Sequence, residues 1–100
     1  MTLIADGKEE SIKVARVKQD FFDGPKVAPL LGRFFVPEEY RSGRTAVGVL
    51  SHDYWRGRFG STPAIIGQQI QLDGRSVVIV GIGPKNFGPA EAPVWIPAAK

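Results

Sequence analysis

Ser51, His52 and Asp53 are consecutive and carry the side-chain types that hydrolases use as nucleophile, general base and orienting acid. His52 is also the only histidine of the chain. Consecutive residues at the start of a helix project in different directions, so these side chains cannot line up as a catalytic relay. Ser51 instead fits the N-cap of a short helix, with His52 on its surface.

Glu38 and Glu39 are the second candidate, because paired carboxylates can act as general acid and base. They follow Pro37, which favours the first turn of a helix, where acidic residues are stabilised by the helix dipole. This structural role accounts for both glutamates. A metal site would need several converging ligands, and scattered acids with one histidine do not provide them.

Gly81, Ile82 and Gly83 follow a predicted strand and resemble the beginning of a phosphate-binding loop. Such a loop needs a third glycine and a following helix, and the sequence has neither here. Pro84 also lacks the backbone N–H that a phosphate would require. The two glycines are therefore interpreted as the end of a strand.

Trp55, Phe59 and Trp95 could form an aromatic binding surface, but aromatic side chains in so small a domain usually pack in the core. We therefore predict that Trp55 is buried between a short helix and the sheet, where it anchors the strand at residues 45–50. The sequence assigns no catalytic, cofactor-binding or metal-binding residue and implies no cofactor. It indicates that the chain is not an enzyme.

The 100 residues suffice for one domain, and we expect residues 1–100 to form it. Hydrophobic residues make up 43% and charged residues 23%, which is ordinary globular usage. There is no cysteine, so disulfides and thiolate chemistry are excluded. The net charge of +3 is dispersed among acidic residues, which argues against nucleic-acid binding. No segment has the roughly 20 apolar residues of a membrane-spanning helix, so the chain itself is expected to be soluble.

Alternating and β-branched apolar runs predict strands at residues 11–17, 45–50, 69–72, 75–82 and 94–96, with an extended segment at 27–35. Asp73-Gly74 separates two of these runs and predicts a two-residue hairpin. Glycine adopts positive φ freely and aspartate tolerates it, as such a turn requires.

Cap and breaker residues predict the helical elements. Ser51 caps one that ends at Gly60, and Ser61 or Thr62 caps a turn that has Pro63 at its first position. Further helical turns are predicted at Asp20, burying Phe21 or Phe22, and at residues 36–40. The sum is an α+β fold, a small mostly antiparallel sheet or partly closed barrel of five or six short strands with two or three short helices.

An ordered series of short motifs adds a family resemblance that covers residues 12–97. The motifs lie at residues 21–22, 31–34, 47–51, 54–55, 58–60, 65–67, 70, 72–74, 78–82, 84, 87 and 94–97. Together they resemble the periplasmic core domain of MacB-like ABC transporter permeases, of the FtsX/MacB type. The sequence departs from that pattern at Pro25-Lys26, in place of Leu-Gly, and at Gly83, in place of an apolar residue.

The resemblance implies a non-catalytic fragment of the extracytoplasmic core domain of a bacterial inner-membrane permease, facing the periplasm. Such domains couple cytoplasmic ATP hydrolysis to movement or partner contact outside the membrane, as in export and efflux. The implied partners are an ABC nucleotide-binding subunit or domain, a second permease subunit and a periplasmic adaptor protein. The alternative is a free-standing small binding module for a peptide or small ligand.

Overall fold

A computed structural model describes residues 1–18, 28–36, 39, 47–85, 87 and 92–98. Within these residues the chain forms eight strands, one α-helix and one turn of 3₁₀-helix. The strands are β1 (Thr2–Ala5), β2 (Lys8–Ser11), β3 (Val14–Val17), β4 (Leu31–Gly32), β5 (Val47–Leu50), β6 (Gln69–Leu72), β7 (Arg75–Ile82) and β8 (Val94–Pro97). The helix α1 spans His52–Phe59, and the 3₁₀ turn spans Pro63–Ile65.

The strands form one mixed sheet in the order β2-β1-β6-β7-β5-β8-β3, and β4 pairs with β7 beyond the end of β6. Neighbours are antiparallel except at β5–β7 and β3–β8, which are parallel. The edge strands β2 and β3 are consecutive in the chain, with only Ile12 and Lys13 between them. That connection reaches across about 11 Å at most. The two edges are therefore drawn together, and the sheet curls into a half-barrel.

Two Asp-Gly pairs form the tight hairpins of the sheet. The predicted hairpin at Asp73-Gly74 is confirmed, with φ of 50° and 81° between β6 and β7. A second hairpin, not predicted from the sequence, joins β1 and β2 at Asp6-Gly7, where φ is 54° and 72°. Asp73 also fastens the two hairpins together, since its carboxylate accepts a hydrogen bond of 2.7 Å from the backbone N–H of Thr2.

The caps of α1 follow the sequence prediction. The Ser51 hydroxyl accepts a hydrogen bond from the backbone N–H of Tyr54, and Gly60 ends the helix in the left-handed region at φ 63°. Thr62 caps the next turn in the same way, with Pro63 at its first position. Both elements are therefore specified by side chains within a few residues of their ends.

The predicted fold class is right in kind and wrong in its counts. The sheet is mostly antiparallel and partly closed, but within the described ranges it has eight strands instead of five or six. The described residues contain one α-helix and one 3₁₀ turn instead of two or three helices. The strand predicted at residues 11–17 breaks at Ile12 and Lys13, where the chain passes from one sheet edge to the other. The turn predicted at Asp20 and most of the helix predicted at 36–40 lie outside the described residues.

The sheet is buried on both faces. We call the face covered by α1 the inner face and its apolar cluster the inner core, which contains Leu3, Ala5, Leu50, Trp55, Ile65, Ile70, Leu72, Val77, Ile79, Ile82, Val94 and Ile96. The outer core on the opposite face contains Val17, Phe35, Val49, Ala92 and Trp95. Strand β8 shows the alternation most clearly, because Val94 and Ile96 enter the inner core while Trp95 enters the outer core.

Strands β4 and β7 approach each other at two facing glycines. A Cβ atom on Gly32 would lie 2.1 Å from the carbonyl oxygen of Val80, and one on Gly81 would lie 2.1 Å from that of Arg33. Gly32 also has a φ of 69°, which L side chains rarely adopt. The backbones can therefore pair here only because both residues lack a side chain.

We expect Trp55→Ala to lower the free energy of unfolding by about 3–5 kcal/mol, since truncating a buried aromatic leaves a cavity. Trp55 is only 8% exposed, as predicted, and its indole N–H donates to the carbonyl oxygen of Thr62 at 2.8 Å. Trp55→Phe keeps most of the ring and should cost less. Urea unfolding measures the stability of both variants. An unchanged midpoint of urea unfolding for Trp55→Ala would contradict the burial of the ring.

Gly81→Ala should destabilise the protein by about 1–3 kcal/mol, because the new methyl group collides with backbone that cannot give way without separating β4 from β7. Gly57→Ala is the matched control. Gly57 lies inside α1, and a Cβ atom added to it would have nothing within 4 Å. That exchange should stabilise the helix by about 0.5–1 kcal/mol. Equal effects of the two substitutions in thermal unfolding would refute the close approach.

Candidate functional site: the clamp between the helix and the first hairpin

The Ser51, His52 and Asp53 side chains do not form a catalytic relay. The Ser51 hydroxyl is engaged with the N–H of Tyr54 at 3.3 Å. Nδ1 of His52 lies 3.4 Å from the carboxylate of Asp53, whose side chain is 91% exposed, and the imidazole stacks edge-on against Trp55. The cap at Ser51 is as the sequence analysis predicted, but the surface position predicted for His52 is wrong, because its side chain is only 15% exposed and packs against Trp55.

Glu39 is held by a structural ion pair. The two terminal nitrogens of the Arg33 guanidinium group donate to its carboxylate, at 3.0 and 3.2 Å, and the same carboxylate accepts a hydrogen bond from the backbone N–H of Val36 at 2.8 Å. These contacts join Glu39 to Arg33 and Val36. Glu38 lies outside the described residues, so the structure does not test whether its carboxylate lies beside that of Glu39.

Gly83 packs against a buried tryptophan. The Trp95 indole lies so close that a Cβ atom on Gly83 would be 2.6 Å from the ring. The ring is fully buried, and its N–H donates to the carbonyl oxygen of Ala92 at 2.9 Å. Phe87 adds an edge-to-face contact, with ring centroids 6.0 Å apart. Gly83 departs from the family pattern, and Trp95 can occupy this position only because Gly83 has no side chain.

The three candidate aromatic residues are core residues and not an exposed binding face. Trp55 and Trp95 are buried in the inner and outer core. Phe59 is partly buried against the inner core, with its ring edge-on to Tyr54 at 5.8 Å between centroids. The preference for core packing over a binding surface is therefore confirmed for these side chains.

A polar cluster joins α1 to the β1–β2 hairpin, and we call it the clamp. It comprises Tyr54 and Arg58 of the helix, with Asp6, Glu10 and the carbonyl group of Ala5 on the hairpin. The Tyr54 hydroxyl donates to the Glu10 carboxylate, and Nε of Arg58 donates to the same oxygen at 3.2 Å. Arg58 also donates to the Ala5 carbonyl oxygen at 2.9 Å and lies 3.6 Å from the Asp6 carboxylate.

The clamp is partly shielded from water. The Arg58 side chain is only 17% exposed, and its guanidinium carbon lies 5.0 Å from the centre of the Phe59 ring. Burial raises the pKa of Tyr54, and the hydrogen bond to Glu10 and its negative charge raise that pKa further. Tyr54 is therefore a hydrogen-bond donor across the physiological range. The Tyr54 hydroxyl and the Arg58 guanidinium group both donate to the Glu10 carboxylate. The three side chains therefore hold one another in place.

The chemistry of the clamp is structural. It contains no activated nucleophile, and the described part of the chain holds no group of three histidine, aspartate or glutamate residues placed to bind a metal ion. Its helix residues, Tyr54 and Arg58, are spaced i, i+4 and so project from one face of α1. The Glu10 carboxylate is 44 and 48 residues away from them in sequence. The sequence analysis missed the clamp for this reason, although Asp6-Gly7 carries the signal that would have located the hairpin.

No helix within the described ranges has the length and apolar character needed to cross a membrane.

Residues 2–100 match the family model described as the MacB-like periplasmic core domain. The chain belongs to this family, so the resemblance and the extracytoplasmic location that it implies are confirmed. A comparison with curated proteins gives no match.

Two solved structures share the fold. The extracellular domain of the noncanonic ABC-type transporter YknZ from Gram-positive bacteria is 21% identical with a TM-score of 0.74, and the match covers 97% of this chain and 49% of that one. The periplasmic region of MacB from Actinobacillus actinomycetemcomitans is 14% identical with a TM-score of 0.76, covering 96% and 42%. The chain thus spans about half the length of either structure.

We expect the stability of the protein to fall at alkaline pH through Tyr54. Its pKa is raised in the folded state, so its stabilising effect is complete below the unfolded value of about 10 and is lost as the pH rises above it. Tyr54→Phe should remove this part of the alkaline decline. Urea unfolding of both proteins between about pH 8 and 11 tests this, and parallel profiles would contradict it.

Proposed function

We propose that this domain is a stiff, non-catalytic coupling element of an ABC transporter permease, outside the membrane. The observation that carries the proposal is the clamp, which ties α1 to the hairpin at the far edge of the sheet. In this role the domain transmits movement that ATP hydrolysis generates on the cytoplasmic side. Its partners are an ABC nucleotide-binding subunit or domain, a second permease subunit and a periplasmic adaptor protein.

The stiffness of the domain supports this role. A lever must move as one body, and here seven strands form one hydrogen-bonded path with apolar cores on both faces. Densely packed interiors deform little and therefore transmit displacement. The helix α1 follows β5 after the single residue Ser51, and the clamp fixes it to β1 and β2 as well. A force on α1 thus reaches both the centre and the edge of the sheet.

The segment at residues 85–93 is the proposed contact element. Connecting segments often carry partner contacts because they tolerate change, and this one contains Gly88, Pro89 and Pro93. Both described ends of this segment are anchored, since Phe87 packs on Trp95, and the Pro93 carbonyl oxygen accepts the backbone N–H of Ser51 at 2.8 Å. Contacts made between these ends would act directly on Trp95 and on the start of α1.

We further propose that residues 1–100 form one domain within a larger extracytoplasmic core. The continuous sheet supports the first part, because β1 pairs with β6 and β3 pairs with β8. The coverage of about half of either solved structure supports the second. ATP turnover would then favour one of two arrangements of this domain relative to its neighbours, which is how a remote site can move it.

A reversible tether tests the coupling role in the parent transporter. The chain has no cysteine, so Asp53→Cys, on the exposed first turn of α1, introduces a single attachment point. A cross-linker with a cleavable disulfide then joins it to a cysteine on the opposing permease subunit. Transport should fall when the tether closes and recover when the linker is reduced.

The control is the same Asp53→Cys protein treated with a monofunctional reagent of matched size, which leaves the domain free. Transport should then continue at the untreated rate. Full transport with the tether closed would show that the domain is a static platform and would refute the proposal.

A further inference from the structure

Strand β3 lies at one end of the sheet, and one of its two edges is open. It pairs in parallel with β8, and no other strand of the described residues pairs with it. The Val17 carbonyl oxygen accepts the backbone N–H of Ala98 at 2.8 Å, so the backbone of Val17 faces β8. Successive residues of a strand direct their N–H and C=O groups to opposite edges, so those of Val14 and Arg16 face the open edge.

The open edge of β3 lies in line with the ladder between β1 and β2. Ile12 exchanges two hydrogen bonds with Met1, each of 2.8 Å, at the end of that ladder. The backbone of Ile12 thus faces β1, and by the same alternation the backbones of Val14 and Arg16 face the same edge. A strand added beside β3 would therefore continue the line of β1 and run antiparallel to β3.

The apolar side chains of β3 suit an added strand. Val14 packs against the inner core and Ala15 against the outer core, and both are only partly buried. A strand beside them would cover more of their apolar surface on both faces of the sheet. The other edge strand, β2, differs in this respect, because it consists of three charged residues and a serine.

The charged side chains along this edge all have one sign. Lys13, Arg16 and Lys18 are exposed, and residues 13–18 contain no acidic residue. Within the part of the chain that the structure describes, no ion pair engages any of the three. Three unpaired cations beside open backbone groups favour a strand that carries acidic residues.

Protection against pairing explains the charges of β3 only in part. Lysine and inward-pointing charges on an edge strand discourage pairing with other chains. In β3, however, charges of a single sign repel a second copy of the same edge and attract a strand of the opposite sign. The basic edge therefore selects among partners and does not exclude all of them.

We propose that the open edge of β3 accepts an extended segment of a partner protein, in which acidic and apolar residues alternate. Main-chain hydrogen bonds to Val14 and Arg16 provide affinity, and the side chains on the two faces provide selectivity. The acidic residues lie on the inner face, opposite Arg16, and the apolar residues cover Ala15 on the outer face. This binding function is additional to the coupling role and does not depend on it.

A synthetic peptide tests the site on the whole chain. The probe is an octapeptide of alternating glutamate and valine, blocked at both ends, and its counterpart has lysine in place of glutamate. The glutamate peptide should shift the backbone amide signals of Val14 and Arg16 in a saturable manner and slow their hydrogen exchange. The lysine peptide should bind at least about tenfold more weakly. Equal binding of the two, or no saturation by the glutamate peptide at millimolar concentration, would overturn the proposal.

N-methylated peptides test the backbone pairing separately from the charge. Residues that lie opposite each other in a hydrogen-bonded antiparallel pair have their side chains on the same face, so the glutamates opposite Arg16 also supply the N–H groups that bond to β3. N-methyl groups on the glutamates should therefore abolish binding, while N-methyl groups on the valines should leave it. Equal binding of both methylated peptides would show that charge alone holds the peptide and would refute the strand pairing.

Charge reversal distinguishes the edge from general surface charge. Lys13→Glu combined with Lys18→Glu should weaken binding of the glutamate peptide at least about tenfold and strengthen binding of the lysine peptide. The matched control combines Lys8→Glu with Arg56→Glu, which changes the net charge equally at exposed positions outside β3. Thermal unfolding confirms that both variants are folded. A loss of binding in the control as large as in the edge variant would contradict the proposal.

Other occupants of the edge would give different results. Exchange at Val14 and Arg16 that slows with rising chain concentration, in the absence of peptide, would identify a second copy of the chain. Peptide binding to this chain that is lost in the complete extracytoplasmic core of the parent transporter would identify another segment of that core. Either result would overturn the assignment of the edge to a partner protein.

Discussion

Strand β7 pairs with β6 and β4 along one edge and with β5 along the other, so both cores depend on its register. Ile79 lies in the inner core, and simple alternation would send Ile82 to the outer face. A bulge opposite Gly48 and Val49 inserts Val80, which packs on the outer core, and Ile82 returns to the inner core. A slip of one residue exchanges the faces of a strand, so this bulge determines which side chains meet α1.

The clamp connects α1 to the β1–β2 hairpin at the edge of the sheet. In the sheet, β5 and β2 are separated by β7, β6 and β1, so a displacement at β5 would pass through three strands before it reached the hairpin. Through Tyr54 and Arg58, the helix that follows β5 contacts the hairpin directly. Because Arg58 is largely shielded from water, its bonds to Glu10 and Ala5 are screened less than surface ion pairs are. A short connection of this kind is what the proposed coupling role requires.

Steric requirements explain several motifs through which the chain resembles its family. Gly32 and Gly81 allow two backbones to meet where no side chain would fit. Trp95 fills the outer core and bonds to the Ala92 carbonyl oxygen. Gly83, the departure from the family pattern, lies directly against that indole. A fold shared with structures of 14% and 21% identity thus depends here on where side chains are absent as well as on which are present.

The elements whose cause is local could be predicted from the amino-acid sequence. Asp73-Gly74 specifies its hairpin, and Ser51 and Gly60 specify the ends of α1, because turn and cap energies depend on residues within one turn. Burial of Trp55 was also predictable, since so small a domain has few other ways to bury a large aromatic side chain.

The parallel pairings, the passage from β2 to β3 and the clamp became visible only in the folded chain. Each joins residues that are distant in sequence or face one another only after the sheet has curled. The burial of the whole core selects that arrangement, and no local preference of the chain encodes it.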